Sequence, residues 1–157
     1  MVDSNKKEAG IIIAAVVLVI AMALVYRFTG GPTATEEEIV PGQILREAKE
    51  GRVIEDFPRD LILEGSPDVE HSYSIEYIEE RISQPVVEYT SERTLEENVQ
   101  AFQDYFDSRE WTVTRAADPA EGSVTFFYAK KDETQVNVTF VVKGEEVIVH
   151  ISHVSPE

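Results

Sequence analysis

Cysteine is absent from the 157 residues, which excludes disulfides, thiol nucleophiles and zinc sites built from thiolates. Histidine is scarce, with three in all. His150 and His153 fall in a predicted strand at odd spacing, so they point to opposite faces and do not converge on one metal. His71 lies in an alternating segment and is read as a partly buried core residue. Basic residues are also few: 14 against 30 acidic ones, for a formal net charge of -16. Residues 1–27 escape this bias, with Lys6, Lys7 and Arg27 against Asp3 and Glu8. The acidity therefore belongs to the remainder of the chain. Such a surface repels phosphate backbones and anionic headgroups, which argues against a nucleic-acid partner. The sequence also lacks a phosphate-cradling glycine loop, G-x-S-x-G, H-E-x-x-H and a calcium loop. Neither a catalytic residue nor a cofactor is expected.

What the chain does contain is one long apolar run. Residues 9–26, AGIIIAAVVLVIAMALVY, open on Ala9, close on Tyr26 and hold no charge. As a helix the run rises about 27 Å at ~1.5 Å per residue, close to the hydrocarbon thickness of a bilayer. A lone segment in lipid must satisfy its backbone internally, so helix is the form available to it. The expectation is a transmembrane helix over 9–27 after a cytoplasmic tag of residues 1–8. A cleaved signal peptide is the rival reading, because Ala21-Met22-Ala23 fits the small-x-small pattern. The apolar run continues through Leu24, Val25 and Tyr26 instead of turning polar, which favours an uncleaved anchor. Lys6 and Lys7 ahead of the run leave the N-terminus in the cytoplasm and the acidic bulk outside.

Residues 28–56 read as a linker. Thr29 to Thr35 is turn-rich, and a short helix is expected over 43–50, bounded by Gly51. The domain proper is expected over 57–157. Its fold class is α+β: an antiparallel sheet in the order β-β-α-β-β-β, with room for an extra first strand at Leu61-Ile62-Leu63, and one helix on one face. Val69, His71, Tyr73, Ile75 and Tyr77 alternate with mostly polar residues, and Pro85 to Thr90 forms the second strand with the proline at its start. Thr94-Leu95-Glu96-Glu97 is a capping box. Leu95, Val99, Phe102 and Phe106 place one apolar stripe on the helix that follows, which should end near Ser108 or Arg109. Runs of strand character then follow around Trp111 to Arg115, Val124 to Ala129, Val136 to Val142 and Val147 to Ile151, four where that order counts three.

Val87-Glu88-Tyr89-Thr90-Ser91, the capping box, Phe102 to Phe106 and Trp111-Thr112-Val113-Thr114 together resemble a recurrent module of small anchored or secreted prokaryotic envelope proteins. Those carry a Y-x-S, helix with F-Y, G-W-x-V pattern. The likeness covers roughly residues 60 to 152, and its motifs are structural. It implies location and fold, not chemistry. The chain departs from the pattern at Glu110, where glycine would end the helix.

If Val124, Val136, Val138, Phe140 and Val147 face the helix, then Thr125, Phe127, Thr139, Val141, Ile148 and His150 share the uncovered face. These six form the candidate partner surface. The expected function is a single-pass membrane protein whose acidic extracytoplasmic domain binds a protein partner or supports an assembly. Two alternatives accompany it: an envelope hydrolase or isomerase using carboxylates around Glu76 to Glu88, and a structural accessory subunit of a membrane complex. Asn137-Val138-Thr139 is a glycosylation sequon in mid-strand.

Overall fold

The computed structural model describes residues 42–116 and 124–156 of the chain. Within them, helix α1 runs Leu95–Ser108 and starts as its capping box predicts. The Glu97 amide donates to Thr94 Oγ1 at 3.2 Å, and the Thr94 amide donates to the Glu97 carboxylate at 2.8 Å. The bond from the Thr94 amide, with a second from the Thr94 hydroxyl at 2.9 Å, holds the Glu97 carboxyl below its ordinary pKa. At the other end Glu110 takes a left-handed conformation, φ 59°. The Trp111 amide reaches Phe106 O at 3.1 Å and the Glu110 amide reaches Asp107 O at 3.2 Å. This is the six-to-one and five-to-two pairing of a glycine-type helix end, built here without glycine.

Seven strands form one antiparallel sheet: β1 (Gln43–Glu47), β2 (Asp68–Tyr77), β3 (Ile82–Ser91), β4 (Thr112–Ala116), β5 (Val124–Lys131), β6 (Thr134–Lys143) and β7 (Glu146–Pro156). Their spatial order is β1-β2-β3-β7-β6-β5-β4. Two-residue loops join β5 to β6 and β6 to β7, since Lys131 pairs with Thr134 and Lys143 with Glu146. Strands so joined must lie antiparallel. β7 then closes against β3, so α1 crosses the sheet between β3 and β4.

Alternation along the strands sends Tyr89, Val149, Ile151, Val138, Phe140 and Phe127 to the helix side, where all are buried. Phe106 of α1 sits among Phe102, Tyr105, Trp111 and Phe127 with ring centroids 5.4 to 6.2 Å apart. Tilted and edge-on contacts at such distances add to the area each ring buries. The segment around Phe57 and Leu61 continues this layer over β2 and β3. It is tied down by Tyr105, whose hydroxyl donates to Asp60 at 2.7 Å, and by Ser74, whose hydroxyl donates to Asp56 at 2.7 Å.

Three local expectations are corrected. Residues 43–47 are strand β1, not part of a helix. A helix that short has no stability of its own, whereas the edge of β2 pairs one side of the backbone of Gln43–Glu47. Leu61 to Leu63 is not a strand: Arg59–Leu61 is a 3-10 turn, with Leu61 buried under the helix layer. Pro85 lies inside β3, not at its start. The ladder to β7 accordingly passes from Ser83↔Ser155 to Val86↔Ser152 without pairing Gln84 or Pro85, as a missing N–H requires. Among the described residues no helix is long and apolar enough to cross a membrane. The expected anchor over 9–27, the tag before it and the turn at Asp118 to Gly122 lie outside those residues.

Glu110 has a Cβ in a conformation that disfavours one, so Glu110→Gly is expected to stabilise the domain by about 1 kcal/mol. Thr94→Ala is expected to lose about 1 kcal/mol with the cap. Chemical denaturation of the two variants beside the parent checks both signs.

Candidate functional site

The face of the sheet opposite α1 is the candidate site. No helix among the described residues lies over it. Cross-strand pairing places its side chains in rows, because residues directly opposite one another share a face. One row reads Val124, Val141, Ile148 and Thr90 across β5, β6, β7 and β3. The next reads Phe126, Thr139, His150, Glu88 and His71 across β5, β6, β7, β3 and β2. An apolar corner at Val124 and Phe126, both exposed, thus adjoins a row of histidine and glutamate.

Four of the six residues expected on this face are there: Thr139, Val141, Ile148 and His150. Thr125 and Phe127 are not. Thr125 pairs with Phe140 and Phe127 with Val138 on the helix side, and both are buried. The cause is phase. Val124-Thr125-Phe126-Phe127-Tyr128-Ala129 offers an apolar residue to each face, and a shift of one residue exchanges the two sets. Packing against Phe106 selects Phe127 as the inward residue and leaves Phe126 outward, 41 % exposed.

β2 carries a second change of phase. Val69 pairs with Tyr89 but His71 pairs with Glu88, so Glu70 is an extra residue in a β-bulge. Beyond it, His71, Tyr73, Ile75 and Tyr77 point away from α1, while Ser72 and Ser74 take the helix side. His71 is therefore exposed on the open face and is not a core residue. In a regular strand Glu70 and His71 would point to opposite faces, and the bulge brings both to the open one. The Thr90 hydroxyl, itself on that face, donates to Glu70 at 2.5 Å. One donor atom from each of Glu70, His71 and Glu88 lies within 4.8 Å of the other two. Nothing in the periodicity announces the bulge. The adjacency of Glu70 and His71 before a strand containing Glu88 was the available clue.

His150 is 5 % exposed, with Nδ1 3.5 Å from a Glu88 carboxylate oxygen. That separation exceeds hydrogen-bonding distance, and neither ring nitrogen has a hydrogen-bond partner. Beside it Gln84 Nε2 donates to Ser152 Oγ at 2.8 Å, which satisfies two further buried polar groups. His153 lies on the other face, opposite Val136, as the odd spacing requires. Burial lowers its pKa from 6.5, against a smaller opposing effect of Asp60 and Asp56.

The carboxylates of Glu76 to Glu88 do not share a site. Glu76 is ion-paired with Arg46 and opposes Ser83, whereas Glu88 opposes His71 on the other face. A shallow groove lined by Thr112, Thr114, Tyr128 and Lys130 lies at the β4 end and includes neither. Compared with protein-family models, with curated proteins and with solved structures, the chain matches none of them.

The depressed pKa of His153 makes stability pH-dependent. The unfolded chain takes up a proton at pH 6.5 that the fold resists, so the contribution is whole above 6.5 and is lost as pH falls through the lower folded-state value. His153→Gln should flatten the upper part of that fall, as measured by denaturant midpoints between pH 7.5 and 5.5.

Proposed function

We propose that the chain is a single-pass membrane protein whose acidic domain stands outside the cytoplasm and acts as a binding or assembly module through its uncovered sheet face. The charge-free run over residues 9–26 supports the anchor, and Lys6 and Lys7 ahead of it support the orientation. The likeness to anchored or secreted envelope modules points the same way. The observation that carries the binding reading is the apolar corner of the open face. Val124 and Phe126 are exposed, next to the buried Val141 and the half-buried Ile148, where a solvated sheet face would carry polar residues. Contiguous exposed apolar side chains mark interaction surfaces more often than isolated ones do. The acidic surroundings, with 30 carboxylates in the whole chain, favour a partner with a basic rim around its own apolar contact.

A photo-cross-linker placed at Phe126 in the membrane-embedded chain is expected to capture one partner in stoichiometric yield. Phe126→Asp and Ile148→Asp should each abolish its co-purification in mild detergent without moving the thermal midpoint by more than a few degrees. Recovery of the chain from the soluble fraction, or a partner retained by both variants, would sink the proposal.

A further inference from the structure

We propose that Glu70, His71 and Glu88 form a binding site for a divalent transition-metal ion of the zinc class, with His150 as a positioning residue beneath Glu88. Three observations on different strands converge on it. The β-bulge turns Glu70 and His71 to the same face as Glu88, and a donor atom from each lies within 4.8 Å of the others. Donors around one tetrahedral zinc at ~2.1 Å stand about 3.4 Å apart, so the set closes onto an ion by roughly 1 Å. Glu70 and His71 are exposed, so an incoming ion reaches both from solvent. The donors are one imidazole and two carboxylates. An imidazole selects zinc and its first-row neighbours over magnesium and calcium, which take all-oxygen sets.

His150 supplies the independent observation. Its side chain is more than nine-tenths buried, both nitrogens lack a hydrogen bond, and Nδ1 faces Glu88 at 3.5 Å. A buried imidazole without a hydrogen bond is costly, and native structures rarely leave one unexplained. Carboxylates that ligate a metal are themselves held by hydrogen bonds from behind. Here His150 is the group behind Glu88, and drawing Glu88 onto an ion gives Nδ1 a fixed acceptor. Three protein ligands leave a fourth position open toward solvent, at the opposite end of the row from Phe126. This site does not rest on the binding reading: the face can dock a partner without a metal, and hold a metal without a partner.

The test is calorimetric titration of the full-length chain in detergent, freed of metal by a chelator, with Zn²⁺ alone. One saturable site per chain is expected, unaffected by millimolar Mg²⁺. His71→Asn and Glu70→Gln should each weaken it about tenfold or more, and His150→Phe about tenfold through the supporting contact. His153→Asn should leave it unchanged. Co²⁺ in place of Zn²⁺ should give visible absorption bands that His71→Asn removes. Because Glu70 and His71 are exposed, their variants should melt with the parent when metal-free, so lost affinity cannot be lost fold. An unsaturable titration, or affinity equal to the parent in both His71→Asn and Glu70→Gln, would overturn the site and leave only ion condensation on an acidic surface. Partner capture through Phe126 is scored separately and is expected to survive His71→Asn.

Discussion

Phe106 is the contact on which the arrangement depends. Its ring touches Phe102 and Tyr105 on its own helix, Trp111 just past the helix end, and Phe127 on the sheet. That single position fixes the helix to one face, sets the phase of β5 and, through the left-handed turn at Glu110, aims the chain into β4. Removing a buried aromatic of this kind costs on the order of 3–5 kcal/mol, a large part of what a domain of this size holds in reserve. Among the described residues, one helix and one short segment pack on one side of the seven-stranded sheet, and no helix lies on the other.

Much of this was legible in the residues. The capping box at Thr94 and Glu97, the apolar stripe through Phe102 and Phe106, and the alternation of β6 and β7 each have a local cause, and each predicted its element. The illegible parts share a different cause. The phase of β5 is undecided within Val124 to Ala129, because Phe126 and Phe127 are equally apolar, and only the long-range contact with Phe106 chooses between them. The bulge at Glu70 depends on pairing with β3, so alternation carried straight through from Val69 puts His71 on the wrong face. β1 is a strand because β2 has an edge to offer. In each case tertiary context decided what local propensity left open.

The candidate site shows the same division. Thr139, Val141, Ile148 and His150 could be placed from the alternation of β6 and β7 alone. The grouping of His71, Glu88 and His150 could not, since it needs three strands in register, and His150 is 62 residues from Glu88 and 79 from His71 in the chain. Glu76, close to Glu88 in sequence, ends on the opposite face. Proximity along the chain is a poor guide to shared chemistry in a sheet, where the parity of spacing matters more than its size.

β1 has a mechanical consequence. It is the first described element of the domain, it lies at the sheet edge, and its Gln43 end, opposite Tyr77, leads back toward residues 1–41. Tension that draws the preceding chain away from the sheet edge loads the Gly42–Ile78 backbone bond and then the pairings from Gln43↔Tyr77 to Glu47↔Tyr73 one at a time. Bonds opened in sequence yield at far lower force than bonds sheared together. Ile44 and Leu45 are exposed and contribute nothing to the aromatic core, so β1 can peel away while the helix and six strands remain folded. Under load the strand is a fuse, lengthening the chain ahead of the core by several residues and baring the edge of β2.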